Sequence, residues 1–155
     1  MKNRFKAIVT ALIIFCFLTG CGANPELTQF RNEVDAFCTA ISEIDTSINN
    51  VDADSDYAIA ELLIYLKDLD AEFEVFAELD FPEEFDYLEV LADEASEYMT
   101  TAVNSYQEAY EGDSYNEVTA EYAKENYIRA YKRIQIIISF LHGEEPDDVD
   151  LTISE

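Results

Sequence analysis

Hydrophobic residues recur along this chain at steps of three and four, the spacing that lines one face of an α-helix. Leu27, Phe30, Val34, Phe37, Ile41, Ile44, Ile48 and Val51 form the first such stripe. Asn24 is placed to cap its start, and Pro25 suits a first turn, where no backbone donor is needed. The polar stretch Asn49-Asn50-Val51-Asp52-Ala53-Asp54 ends it. A second stripe runs Ile59, Leu62, Leu66, Leu69, Phe73, Phe76, widened by Leu63 and Leu79, with Asp54 or Ser55 as its cap. Asp80-Phe81-Pro82-Glu83 then interrupts, because the residue before a proline resists the helical conformation. The third helix is expected from Glu83 to Glu111, with Phe85, Leu88, Ala92, Ala95, Met99, Ala102, Tyr106 and Ala109 facing inward. Its alanines predict a close approach to a neighbouring helix. Gly112 is the expected stop, and Ser114-Tyr115-Asn116-Glu117 reads as a capping box. The fourth stripe runs Ala120, Ala123, Tyr127, Ala130, Ile134, Ile137, Leu141, closed by His142-Gly143 and barred from resuming by Pro146.

Four amphipathic helices joined by short connections predict an all-α fold, an antiparallel up-down four-helix bundle over residues 25–143. Residues 144–155 hold six acids and no cation. That composition predicts a disordered acidic tail.

The first residues follow a different pattern. Lys2, Arg4 and Lys6 precede an apolar run from Ala7 to Phe17, and Leu18-Thr19-Gly20-Cys21 follows. A charged start, an apolar middle and a small-residue end make a secretory signal. The run is short of the about 20 apolar residues that span a bilayer. These residues resemble the bacterial lipoprotein signal peptide, whose lipobox reads Leu-small-Gly-Cys. The resemblance covers residues 1–21. It implies cleavage after residue 20, a diacylglyceryl thioether on Cys21 with palmitate-type chains, and residence on the extracytoplasmic face of a bacterial membrane. Residues 21–24 would then be a lipidated cysteine and a short tether. Three extended residues reach roughly 10 Å, so the bundle is expected to sit close to the membrane.

Charge narrows the partners. All 34 acids follow Cys21, while three of the nine cations precede it, so the processed chain would carry six cations against 34 acids. Such an excess argues against nucleic acid, whose phosphates need Lys and Arg, and against a basic patch on anionic lipid. It suits a self-repelling ectodomain or a cationic partner. Four of those six cations, Lys124, Arg129, Lys132 and Arg133, lie in the fourth helix, whereas Glu83 to Glu111 holds nine acids and no cation. Pairing between these two helices is expected. Of the cysteines, Cys16 leaves with the signal and Cys21 takes the lipid, so Cys38 has no partner for an internal disulfide and is expected to be buried.

Reactive chemistry finds little footing. A di-iron bundle needs Glu-x-x-His pairs on two helices, and His142 is the only histidine. The same residue would have to serve any zinc site or Ser-His-Asp arrangement, and it is better explained as a cation at a helix C-terminus. Acids such as Asp68, Asp70, Glu72, Glu74 and Glu78 crowd one helix and read as a solvated face. Asn50, Asp52, Asp54 and Glu61 fall at positions 1, 3, 5 and 12 of a calcium-loop frame, but Ser55 stands where the sharp turn needs glycine. A plain inter-helix turn accounts for the same residues, so no metal site is expected there and no cofactor elsewhere. Seven of ten tyrosines lie between Tyr98 and Tyr131. They are expected to line the core edge, with a groove for a sugar or peptide between the third and fourth helices as the sharper option.

The sequence therefore predicts a membrane-anchored cell-envelope lipoprotein with a non-catalytic bundle acting as an interaction or scaffold module. The alternative is an extracytoplasmic binding protein for small cationic ligands, cationic peptides or metal ions.

Overall fold

The computed structural model describes residues 24–111 and 114–144. The signal-peptide expectation, Cys21, Gly112 and the tail beyond Glu144 lie outside the described residues. Four helices make up the fold: α1 (Pro25–Asn49), α2 (Ala58–Ala77), α3 (Glu89–Glu111) and α4 (Glu117–Leu141). No strand occurs among the described residues, and the helices pack as a bundle. α3 packs against both α2 and α4, most extensively against α4, and α1 packs against α2. The backbones of α1 and α4 do not pack closely against each other.

The helix ends follow from local chemistry. Asn24 Oδ1 accepts from the Glu26 amide at 3.1 Å, and Pro25 occupies the first turn. α1 ends at Asn49 with Asn50 as its cap, so Val51 lies past the helix rather than on its stripe. The start of α2 departs from expectation. Neither Asp54 nor Ser55 caps it, since the cap position is Tyr57, whose side chain makes no capping bond. Asp52 Oδ1 instead accepts from the Asp54 amide at 3.0 Å, and Ser55 Oγ from the Tyr57 amide at 3.1 Å. Each short side chain serves the amide two residues on and builds a turn rather than a helix. The helix begins late, Ala58 is buried, and Ile59 is left exposed.

α3 also starts later than Glu83. Phe85 N donates to Pro82 O at 2.7 Å and Leu88 N to Phe85 O at 2.8 Å, which makes a tight turn leading into a single 3₁₀ turn at Asp86–Leu88. Phe81 and Pro82 are buried here. The Phe81 ring sits 4.8 Å from Phe30 and 6.0 Å from Phe76, so the connection itself plugs the core. The cap of α4 is Asn116, not Ser114. Its Oδ1 accepts from the Thr119 amide at 3.2 Å, and its own amide donates to Ala109 O at 3.0 Å. Glu117 is thus the first helical residue and cannot reach back as a capping-box carboxylate. The far end of α4 closes as expected. Gly143 adopts φ 74°, its amide donates to Phe140 O, and the Glu144 amide donates to Ser139 O, both at 2.9 Å. These crossed bonds form a Schellman motif, which satisfies carbonyls the helix leaves unpaired.

The stripes read from sequence form the core. Phe30, Val34, Phe37, Ile41 and Ile48 are buried on α1, and Leu62, Leu66, Leu69, Phe73 and Phe76 on α2. Ala92, Ala95, Met99, Ala102, Tyr106 and Ala109 are buried on α3, and Ala120, Ala123, Ala130, Ile134, Ile137 and Leu141 on α4. Cys38 is buried among them. Among the described residues, no helix is long and apolar enough to cross a membrane.

Candidate functional site

Tyr127 and Tyr131 stand one helical turn apart on α4, which puts both rings on one face. Their centroids are 4.8 Å apart, and the edge of Tyr131 also meets Phe73 of α2 at 5.6 Å. Both hydroxyls reach across to Asp45 of α1. Tyr127 donates to Oδ1 at 2.8 Å, and Tyr131 lies 3.0 Å from Oδ1 and 2.9 Å from Oδ2. This carboxylate–phenol cluster joins two helices whose backbones stay apart, because the tyrosine side chain is long enough to fill the difference.

The electrostatics of the cluster are unusual. Asp45 is half-buried, and its carboxyl is pushed above the ordinary carboxylate range by desolvation, with the two phenol hydrogen bonds opposing that shift. No ion pair reaches Asp45 among the described residues. Tyr131 is buried and its hydroxyl is held well above the ordinary phenol range, by desolvation first and by Tyr127 and Asp45 after it. Tyr127 is shifted the same way, again by burial first and then by the Asp45 charge. More phenols adjoin. Tyr106 is raised by burial, then by Tyr110, Tyr115 and Glu121, and it acts in turn on Tyr127. Tyr110 and Tyr115 pack at 5.2 Å. The buried Tyr106 hydroxyl has no hydrogen-bond partner among the described residues.

Other expected features find plain places. Arg133 of α4 pairs with Glu94 of α3, which is the expected bridging between those helices. Arg133 and Arg129 also lie 5.7 and 5.8 Å from the centre of the Tyr98 ring, within cation–π range. Lys124 pairs within its own helix, with Glu121 at 3.0 Å. The four calcium-frame residues are dispersed. Asn50 caps α1, Asp52 and Asp54 lie in the turn, and Glu61 is inside the first turn of α2 with its amide bonded to Tyr57 O. Among the described residues, no group of three His, Cys, Asp or Glu side chains is arranged to hold a metal ion. His142 caps α4, and its charge acts on Asp35 of α1, whose carboxyl is raised overall by burial. Asp70 accepts from Thr100 Oγ1 at 2.8 Å between α2 and α3.

Sequence reasoning placed Tyr106 and Tyr127 on the stripes and took the tyrosines to line the core edge or a groove between α3 and α4, but it missed Asp45. A signal was present: Ile41, Asp45 and Ile48 follow the same four-then-three spacing as the apolar stripe. Buried Asn126 also keeps the stripe spacing, three residues after Ala123 and four before Ala130, and its Nδ2 donates to Tyr122 O at 2.9 Å. No protein-family model, curated protein or solved structure matches this chain.

Proposed function

We propose that this chain is a bacterial cell-envelope lipoprotein, held on the extracytoplasmic face through lipid on Cys21, whose antiparallel up-down four-helix bundle is a non-catalytic interaction module. The observation that carries the reading is Leu18-Thr19-Gly20-Cys21, ending three positions before the Asn24 cap of α1. An anchor so near the first helix holds the bundle against the membrane and suits a local task. Alternating helix direction is supported by paired contacts. Phe37 meets Phe73 and Phe76, while the earlier Phe30 meets the later Phe81. Glu94 meets Arg133, while the later Ala109 meets the earlier Asn116. The acid excess favours a cationic partner over nucleic acid or an anionic surface.

Substituting Cys21→Ala tests the anchor. The variant should accumulate as an unprocessed precursor, while the parent should yield a mature N-terminus carrying acyl chains on Cys21 by mass spectrometry. Two or more chains hold stably, since each buried methylene contributes about 0.8 kcal/mol. An unmodified mature N-terminus at another residue would sink the lipoprotein reading. A second reading, a binding protein for small cationic ligands, is favoured by Asp45, a half-buried carboxylate whose hydrogen-bond partners are phenols rather than a cation.

A further inference from the structure

Asp45 makes an odd structural pin. Two phenols need acceptors, and a backbone carbonyl or an amide would serve without the penalty of desolvating a charge. A carboxylate in that position accepts the penalty and finds no counter-ion among the described residues. It keeps acceptor capacity, because a carboxylate offers about four lone-pair sites and the two phenol protons use only part of them. Each phenol oxygen that donates to Asp45 retains lone pairs of its own. Three acceptors therefore converge on one spot at the α1–α4 seam: the Asp45 carboxylate, Tyr127 Oη and Tyr131 Oη. Asp45 and Tyr127 are both half-buried, so neither residue is sealed from solvent. The Tyr106 hydroxyl, which has no hydrogen-bond partner among the described residues, acts electrostatically on Tyr127.

We propose that Asp45, Tyr127 and Tyr131 form a binding site for a primary ammonium group. An ammonium carries three N–H donors and one positive charge, which matches three acceptors and one uncompensated carboxylate. Quaternary ammonium has the charge without the donors and satisfies only part of the site. The ammonium belongs either to a free amine or to the lysine side chain of a bound peptide. The inference rests on the cation-binding reading and is independent of the anchor, so failure of Cys21 processing leaves it standing.

Calorimetry on the full-length protein in detergent tests it, titrating cadaverine in about 0.15 M sodium chloride so that diffuse attraction to the acidic surface is screened. Tyrosine fluorescence gives a second readout, since the chain has ten tyrosines and no tryptophan. Cadaverine should bind saturably, and tetramethylammonium should bind at least about tenfold more weakly, as expected when hydrogen bonds to a charged group are lost. Tyr127→Phe keeps the ring and removes one acceptor, and should weaken cadaverine by about tenfold. Asp45→Asn should abolish saturable binding. The source is decided by a parallel titration with lysine blocked at both its α-amine and its carboxyl. Tight cadaverine with weak blocked lysine assigns a free amine, and the reverse assigns a partner's lysine. Absence of saturable binding of both cadaverine and blocked lysine to the parent protein overturns the proposal. So does equal binding of tetramethylammonium, or unchanged cadaverine binding in an Asp45→Asn or Tyr127→Phe variant that melts like the parent.

Discussion

The core of this bundle is built in two different ways. Where α1 meets α2, it is made of rings. Phe37 stacks on Phe76 at 4.3 Å and meets Phe73 edge-on at 5.4 Å, and Phe30 is flanked by Phe81 and Phe85 from the connecting turn. Where α3 meets α4, alanine dominates, with Ala92, Ala95, Ala102 and Ala109 on one helix and Ala120, Ala123 and Ala130 on the other. Rings supply large buried area and specific ring–ring geometry. Alanines supply little area each, but they lose no side-chain entropy on burial and let helices approach closely. The most extensive helix pairing, α3 with α4, is the alanine-rich one. The tyrosines then take up the slack at the α1–α4 seam, where backbones stand further apart.

This contrast predicts opposite sensitivities to side-chain size. Truncation should hurt most on the ring side. Phe37→Ala removes a ring that touches two others and is only 5% exposed. A loss of about 3–5 kcal/mol is expected from the transfer and cavity terms together. Chemical denaturation of the detergent-solubilised protein, monitored by far-ultraviolet circular dichroism, measures it. A loss below about 1 kcal/mol would mean that the rings collapse around the gap and that the two sides are not distinct in kind.

Enlargement should hurt most on the alanine side. Ala130 is fully buried. Replacing it with Leu pushes a branched side chain into a space set by helix approach, with an expected loss of about 1–3 kcal/mol. The same denaturation measurement applies. A neutral or stabilising Ala130→Leu would show that a cavity, rather than close packing, lies beside that residue.

How much of this was legible in the sequence follows from what period-based reasoning counts. It counts apolar residues, so the four helices and nearly all of their buried stripes were read correctly. It placed the Asn24 cap and the Gly143 stop because each depends on one residue's own chemistry. It misplaced the starts of α2, α3 and α4, where several residues compete for the same amides. Asp52, Ser55 and Asn116 each bind the backbone locally, and which of them ends the turn depends on tertiary contacts such as the Asn116 amide bonded to Ala109 O. The carboxylate–phenol cluster was invisible for a related reason. Asp45, Asp70 and Asn126 all occupy stripe-compatible positions, but a polar residue at such a position is normally read as a break in the pattern. Their partners, Tyr127, Tyr131 and Thr100, lie on other helices for the two carboxylates, and spacing along one helix carries no information about those pairings.

The smallest expected effect separates these half-buried acids from the acidic surface. Burial raises the carboxyls of Asp45, Asp70 and Asp35 above the ordinary value of 3.8 in the folded protein. Each therefore holds its proton more tightly folded than unfolded. The stability this linkage contributes is present below the unfolded value of 3.8 and is lost as pH rises through the raised folded values. Surface repulsion among 34 acids acts in the same direction, since protonation relieves it. The protein should accordingly melt higher near about pH 4 than near about pH 7. A pair of substitutions divides the two causes. Asp68 is exposed on α2, so Asp68→Asn only lowers the surface charge by one unit. Asp45→Asn lowers it by the same amount and also removes a titrating group from the α1–α4 seam. Melting curves of both variants across this pH range should show a flatter pH dependence for Asp45→Asn than for Asp68→Asn. Equal slopes would assign the whole pH response to the surface, and would mean that the tyrosine-bridged seam is as well solvated as the outer face of α2.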